Sequence, residues 1–204
     1  NRERIRRYAD AGELEIWYDL IADSELLTMF AEEDREQFAA RLARRAAKRT
    51  SAGAARKLTE TVEGRLRIVD DPPRRTRLVD PARRAELERA AAAIMQAYHD
   101  TLPYERRYLL DRFTFVDAVR QVVGVGSVGM QVYLTLLEGR PGGDPLFLQI
   151  KQAGPSVYER YLGPSPAPNH GERVIRGKRL IQAASDIFLG WTRRDGDDFY
   201  VRQF

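Results

Sequence analysis

The stretch Gly124-Val-Gly-Ser-Val-Gly-Met-Gln-Val-Tyr-Leu-Thr-Leu-Leu137 decides how this chain is read. Its first six residues follow G-x-G-x-x-G, a pattern that serves two different local structures. In a dinucleotide-binding fold the third glycine opens a helix, and an acidic residue about 20 positions later ends a second parallel strand. Here the third glycine leads into alternation, with Val132, Leu134 and Leu136 set against Tyr133, Thr135 and Leu137. The run then closes on Glu138-Gly-Arg-Pro-Gly-Gly-Asp-Pro145. Period-two alternation ended by a glycine-proline turn is a strand signal. The glycines therefore belong to a β-hairpin. They serve either as a plain turn that uses their backbone freedom or as a loop whose backbone covers phosphates.

The second use makes a further demand: a third strand soon afterwards, carrying a lysine for the α- and β-phosphates. Leu146-Phe-Leu-Gln-Ile-Lys151 meets it, with Lys151 at 151 − 129 = 22 residues beyond Gly129. The chain has four lysines (Lys48, Lys57, Lys151, Lys178) among 34 basic residues, so a lysine on an apolar strand stands out. An ammonium with a buried stem calls for an anionic partner; the plain alternative is an edge-strand or snorkelling lysine. The candidate nucleotide-binding residues are Gly124, Gly126, Ser127, Gly129 and Lys151. A carboxylate on a following helix would position Lys151, and Glu172 or Glu159 could supply it, with Glu172 preferred for its longer helix. Each also has a local reading. Ser156-x-x-Glu159 is a capping box, and Asn169-x-x-Glu172 places a glutamate in a helix's first turn.

Outward from this core the chain is α+β. Residues 1–110 read as a mainly helical segment, with helices over 2–9, 24–30, 33–48, 54–61, 81–101 and 103–110, and a short extended pair near 66–79. The helix over 33–48 begins with acids and ends with arginines, as the helix dipole favours. Residues 111–204 read as a strand-rich, mainly antiparallel lobe with a packed helix. Strands are expected near 119–123, 130–137, 146–152, 187–192 and 199–204, with helices over 156–162 and from Asn169 to about residue 185. Asp195-Gly-Asp-Asp198 reads as a hairpin tip rather than a cation loop. Tyr104 and Tyr108, four apart on a helix, read as core or rim packing.

Composition narrows the chemistry. The 204 residues contain no cysteine, which removes disulfides, thiolate catalysis and cysteine-based metal sites. The two histidines, His99 and His170, are far apart in sequence. A metal here would be a hard cation held by carboxylates and phosphate. No apolar run approaches the roughly 20 residues needed to span a bilayer, and the expected location is the cytoplasm. The net charge of +4 is modest. The arginine stripe Arg41, Arg45 and Arg49 reads as a solvated face, so nucleic acid is not an expected partner. The chain begins without methionine and ends within a strand-like run, as a piece of a longer protein would.

Phe115, Val122 to Gly129 and Leu148-Gln-Ile-Lys151 resemble the amino-terminal lobe of protein-kinase-like and aminoglycoside-phosphotransferase-like folds. Residues 58–73, 122–129, 144–151 and 182–191, together with Tyr200-Val-Arg-Gln203, are similar to an uncharacterised bacterial family, domain of unknown function (DUF) 2252. The kinase resemblance implies ATP with Mg2+, an unknown phosphate acceptor and a phosphotransferase in the full-length protein. No His-Arg-Asp or Asp-Phe-Gly segment occurs here, so the catalytic base and the magnesium ligands would lie outside this stretch, which alone would be inactive. The bacterial family resemblance implies a Gly-Asp-x-His-x-x-Asn segment on the amino-terminal side. A non-catalytic pseudoenzyme or interaction scaffold is the alternative reading, followed by a basic nucleic-acid-binding module.

Overall fold

The runs on either side of the glycine stretch are neighbouring strands of a six-stranded antiparallel sheet. A computed structural model describes residues 2–18, 27–28, 30–48, 50–77, 93–124, 129–140, 143–182 and 184–204. They divide into two compact units, Asn1–Thr50 with Arg179–Ala184, and Ser51–Lys178 with Ser185–Phe204.

The first unit contains helices α1 (Arg2–Asp10), α2 (Glu13–Tyr18) and α3 (Glu32–Lys48). Glu32, Glu33 and Asp34 occupy the first turn of α3, where the helix dipole favours acids. Phe30 stacks on Phe38 with ring centroids 4.1 Å apart, and Arg35 Nε donates to the Phe30 carbonyl, so the chain entering α3 is pinned to its second turn. The helix expected over 24–30 falls largely outside the described residues. So do Arg49 and the side chain of Arg45 in the arginine stripe, while Arg41 is exposed.

The second unit opens with α4 (Ser51–Leu58), followed by the hairpin β1 (Thr59–Val62) and β2 (Arg65–Ile68). Two expectations are corrected here. The helix ends at Leu58 instead of running to residue 61, and Thr59 Oγ1 donates back to the Ala55 carbonyl at 2.8 Å. Arg77, the one described residue of the expected partner run 77–79, pairs with Val119 instead of the run 66–69; β2 pairs with β1 through a two-residue turn in which Glu63 and Gly64 both take positive φ. That turn matches the twist of the strands it joins. Strand β3 (Arg75–Arg77) instead joins the edge of the large sheet beside β4 (Thr114–Gln121).

The large sheet runs β3-β4-β5-β6-β8-β7, with β5 (Val132–Arg140), β6 (Gly143–Ala153), β7 (Gly190–Arg194) and β8 (Asp197–Gln203). Strands β5 and β6 run several residues into the expected 138–145 turn, pairing Glu138 with Pro145 and Arg140 with Gly143. Strands β7 and β8 meet at an Asp195–Gly196 turn, both residues at positive φ, as the sequence implied. Between β6 and β7 the chain forms α6 (Glu159–Leu162) and α7 (His170–Ile181), and α5 (Tyr104–Leu110) precedes β4. Helix α7 stops short of the expected residue 185. Beyond it the Asp186 carboxylate accepts the Phe188 N–H at 2.8 Å and turns the chain toward β7.

Both sheet faces carry apolar clusters. One face packs Leu137, Leu148, Ile150, Phe199 and Val201 against Tyr98, Leu102 and Leu110, which come from the helical residues 93–99, the following turn and α5. Residues 81–92 of the long expected helix lie outside the described residues. Tyr98 donates its hydroxyl to the Phe188 carbonyl at 2.7 Å, and burial pushes its phenol far above the ordinary range. The opposite face packs Val119, Leu134, Leu136 and Phe147 against Ile68, Leu58 and Ala54. Each fully buried aliphatic or aromatic side chain contributes about 1.5–3 kcal/mol. This second cluster therefore holds the two-stranded β1–β2 sheet, which would be marginal alone. The expectation for Tyr104 and Tyr108 is corrected: they are 78% and 64% exposed, because α5 turns Leu110 to the core and leaves the two tyrosines on the solvent side.

Candidate functional site

Gly129, at φ +83°, ends the glycine stretch, and the chain enters β5 three residues later. It opens no helix, so a dinucleotide-binding turn is excluded at this position. At the mouth of the hairpin Gln131 is tied on three sides. Its N–H donates to Gln152 Oε1 at 3.0 Å, its carbonyl accepts the Gln152 N–H at 2.9 Å, and its side-chain amide donates to Asp197 at 3.1 Å. The Tyr133 hydroxyl donates to Gln131 Oε1. The carboxy-terminal root of the glycine stretch is therefore fixed to β6 and β8.

Lys151 pairs in register with Val132 on β5 and with Tyr200 on β8. It thus sits at the end of the sheet where the glycine stretch joins β5. Residues directly opposite one another share a face, so Lys151 and Tyr200 lie on one face, together with the next pair, Gln149 and Arg202. Gln149 is fully buried. Its amide donates to Gln121 Oε1 at 2.8 Å, and its Oε1 accepts both Nε and Nη2 of Arg202 at 3.1 and 3.0 Å. Lys178 reaches the same face from α7, with Nζ 4.8 Å from the centroid of the Tyr200 ring.

Burial, followed by the Arg202 charge, holds the Lys151 ammonium below the usual lysine range. Burial and Arg202 also lower Lys178; Asp186 opposes that shift, and Lys151 adds to it. Burial raises the Tyr200 phenol, against the pull of Arg202.

Helix α7 is seated by buried polar contacts. Asn169 Oδ1 caps it by accepting the Glu172 N–H at 3.0 Å. The Asp198 carboxylate accepts from Asn169 Nδ2 at 2.9 Å and from the His170 N–H at 2.7 Å, and pairs with Arg193. The cap and the first-turn glutamate are as the sequence implied.

Of the expected site residues, Lys151 lies at the end of the β5–β6 ladder that Gly129 precedes by three residues. Gly124 is exposed just past β4, and Gly126 and Ser127 lie outside the described residues. Glu159 accepts the Ser156 N–H at 2.9 Å and lies 3.6 Å from Arg173, while Glu172 pairs with Arg176. Among the described residues neither glutamate, nor any other carboxylate, forms an ion pair with Lys151. The sequence reading passed over Gln149, Lys178, Tyr200 and Arg202. Polar residues two apart on strands that are otherwise apolar, Gln149-x-Lys151 and Tyr200-x-Arg202, were the available signal. Among the described residues no three His, Asp or Glu side chains come together as a metal site. No described helix is long and apolar enough to cross a membrane.

A family model for uncharacterised proteins conserved in bacteria, DUF2252, matches residues 1–204. The chain belongs to this family. No curated protein and no solved structure gives a significant match. Within this DUF2252 chain, the glycine hairpin root, Lys151 and the cations facing it make up the candidate site.

Proposed function

We propose that β4 to β8 with α7 form a nucleotide-binding lobe of the kinase-like kind, part of a phosphotransferase in the full-length protein. The observation that carries this reading is Lys151, a half-buried ammonium on an apolar strand, paired in register with the strand that leaves the glycine stretch. The order glycine hairpin, lysine strand and following helix is the one the kinase resemblance implies. Backbone N–H groups of the glycine stretch would meet phosphate oxygens, and Lys151 would hold the phosphates nearest the base. A cation without a carboxylate partner among the described residues suits that role, since phosphate would supply the charge that desolvation makes costly to leave unpaired.

The residues present fit the phosphates of ATP and do not fit its magnesium ion, for which the described residues offer no cluster of ligands. Bound Mg2+ would bring charge neutralisation between phosphates, held by groups other than those described.

Thermal unfolding with and without Mg-ATP, in the wild type and in Lys151→Ala, tests the proposal. A hundredfold excess over Kd stabilises by about 2.7 kcal/mol. The expected result is an upward shift that the variant loses. No shift in either protein at millimolar nucleotide would overturn it. That outcome would favour the second reading, an interaction platform, for which Val157, Tyr158, Tyr161 and Leu162, all exposed on and before α6, are the specific observation.

A further inference from the structure

The face that carries Lys151 holds more positive charge than one lysine explains. Lys151 and Lys178 flank the Tyr200 side chain, one across the β6–β8 ladder and the other over its ring. Arg202 stands one pair further along β8, and its Nε and Nη2 are both committed to Gln149 Oε1. Gln149 is itself fixed by Gln121. The guanidinium is therefore held by one edge, and its Nη1 makes no hydrogen bond among the described residues. The Asp186 carboxylate acts on Lys178. Its two oxygens already accept the N–H groups of Phe188 and Gln203, so it holds the chain rather than bridging the cations.

Like charges gathered on a half-buried face repel one another, and packing alone gives no reason to keep three of them. Burial adds a desolvation cost for the two ammonium groups, and it holds both lysines below their usual range. We propose that Lys151, Lys178 and Arg202 form a three-cation cradle for a compact polyanion with consecutive phosphate groups, the di- or triphosphate part of a nucleotide. The identity of the ligand rests on the nucleotide reading above; the cradle adds Lys178 on α7 and Arg202 on β8 as phosphate ligands. Binding would draw α7 and the sheet together, because the two lysines approach the same anion from different elements. Consecutive phosphates offer three cations more charge and more oxygens than one phosphate does, so the cradle favours the longer chain.

The test is calorimetric titration with inorganic tripolyphosphate, with orthophosphate and with Mg-ATP, in the wild type, Lys151→Met, Lys178→Met and Arg202→Gln. Tripolyphosphate is expected to bind the wild type well and orthophosphate at least tenfold more weakly. Each substitution should weaken tripolyphosphate by about tenfold or more, the effect of one charge-assisted contact. Lys178→Arg should retain binding. Without ligand, Lys178→Met should melt at or above the wild-type temperature, since a repelling charge is gone; a structural role for Lys178 would lower it. Wild-type affinity in Lys178→Met and Arg202→Gln, with loss only in Lys151→Met, would overturn the cradle and leave the nucleotide reading standing. Tripolyphosphate binding with the expected pattern, but no binding or competition by Mg-ATP, would support the cradle and remove the nucleotide. Failure of tripolyphosphate to bind the wild type would overturn the cradle outright.

Discussion

Gly171 decides whether α7 can sit where it does. A Cβ built there would lie 2.1 Å from the Phe199 carbonyl oxygen, 2.5 Å from its carbon and 2.9 Å from Asn169 Oδ1. Ordinary contact begins near 3.4 Å, so Gly171→Ala requires a retreat of about 3.4 − 2.1 = 1.3 Å. The nearest obstacle is strand backbone, so no rotamer change relieves it. Helix α7 must lift away from β8, and the hydrogen bonds that Asp198 accepts from Asn169 and His170 stretch with it. Overpacking costs about 1–3 kcal/mol, and weakening bonds to a charged acceptor adds about 1.5–3 kcal/mol. Alanine's helix propensity returns at most about 1 kcal/mol. The expected net loss is about 2–5 kcal/mol. Gly177, six residues along the same helix, has nothing within 4 Å of its added Cβ. There the propensity term acts alone, and Gly177→Ala should stabilise by about 0.5–1 kcal/mol. Urea denaturation of both variants beside the wild type measures the contrast. Should Gly171→Ala fall within about 1 kcal/mol of wild type, or Gly177→Ala prove the more damaging, the seating of α7 on β8 would be wrong.

Two further predictions concern carboxylates, Asp198 buried and Asp117 half-buried. Burial works to raise the Asp198 carboxyl, but hydrogen bonds from Arg193 and the His170 N–H outweigh it and hold the group below the usual carboxylate range. Its ionised form is thus favoured by folding, so the stability it contributes is present above the ordinary carboxylate pKa, near pH 4, and is lost as pH falls through the lower folded value. Asp198→Asn should cost about 1–3 kcal/mol at neutral pH and flatten the acid limb of stability against pH; parallel acid limbs would refute it. Asp117 accepts the Ile68 N–H at 2.8 Å and pairs with Arg77 at 3.0 Å, joining β2, β3 and β4 at a β-bulge. Asp117→Ala should cost about 2–4 kcal/mol in urea denaturation, since it orphans a half-buried donor and a guanidinium, whereas a change under about 0.5 kcal/mol would remove that role.

Much of the fold was legible because its signals are local. Alternation from Val132 to Leu137, the Asp195–Gly196 turn, the Asn169 cap and the acidic start of α3 each specify their element within a few residues. The pairing of β1 with β2 was missed, although Glu63-Gly64 between Thr-Glu-Thr-Val and Arg-Leu-Arg-Ile carried a hairpin signal. The apolar residues on both sides of Asp70-Asp-Pro-Pro73 suggested a nearer partner. Tertiary packing is what composition could not show. Buried Ile68 and half-buried Leu58 pack against Val119 and Leu134, residues 51 to 76 positions away, so the segment after Thr50 packs with the strand-rich half. The strand turn at 138–145 looked longer than it is because proline and glycine mark turns without fixing where pairing stops.

The site was only half legible. Lys151 was visible as a charge in an apolar run. Lys178 and Arg202 lie 27 and 51 residues beyond it, and only the β6–β8 register and the course of α7 bring them to its face. Glu159 and Glu172 lie on the helices that follow Lys151, as a lysine-positioning carboxylate would, but Glu159 accepts the Ser156 N–H and faces Arg173, and Glu172 pairs with Arg176 one turn away.

The central claim is that phosphate binds at the root of the glycine hairpin and at Lys151. Titrating isotope-labelled protein with Mg-ATP, while following backbone amide and lysine Nζ resonances by NMR, locates the ligand directly. The account predicts saturable shifts at Gly124, Gly129 and Gln131 and at the Lys151 ammonium, with little change in α1 or α3. Saturable shifts confined to other surfaces, or none at millimolar nucleotide, would contradict it.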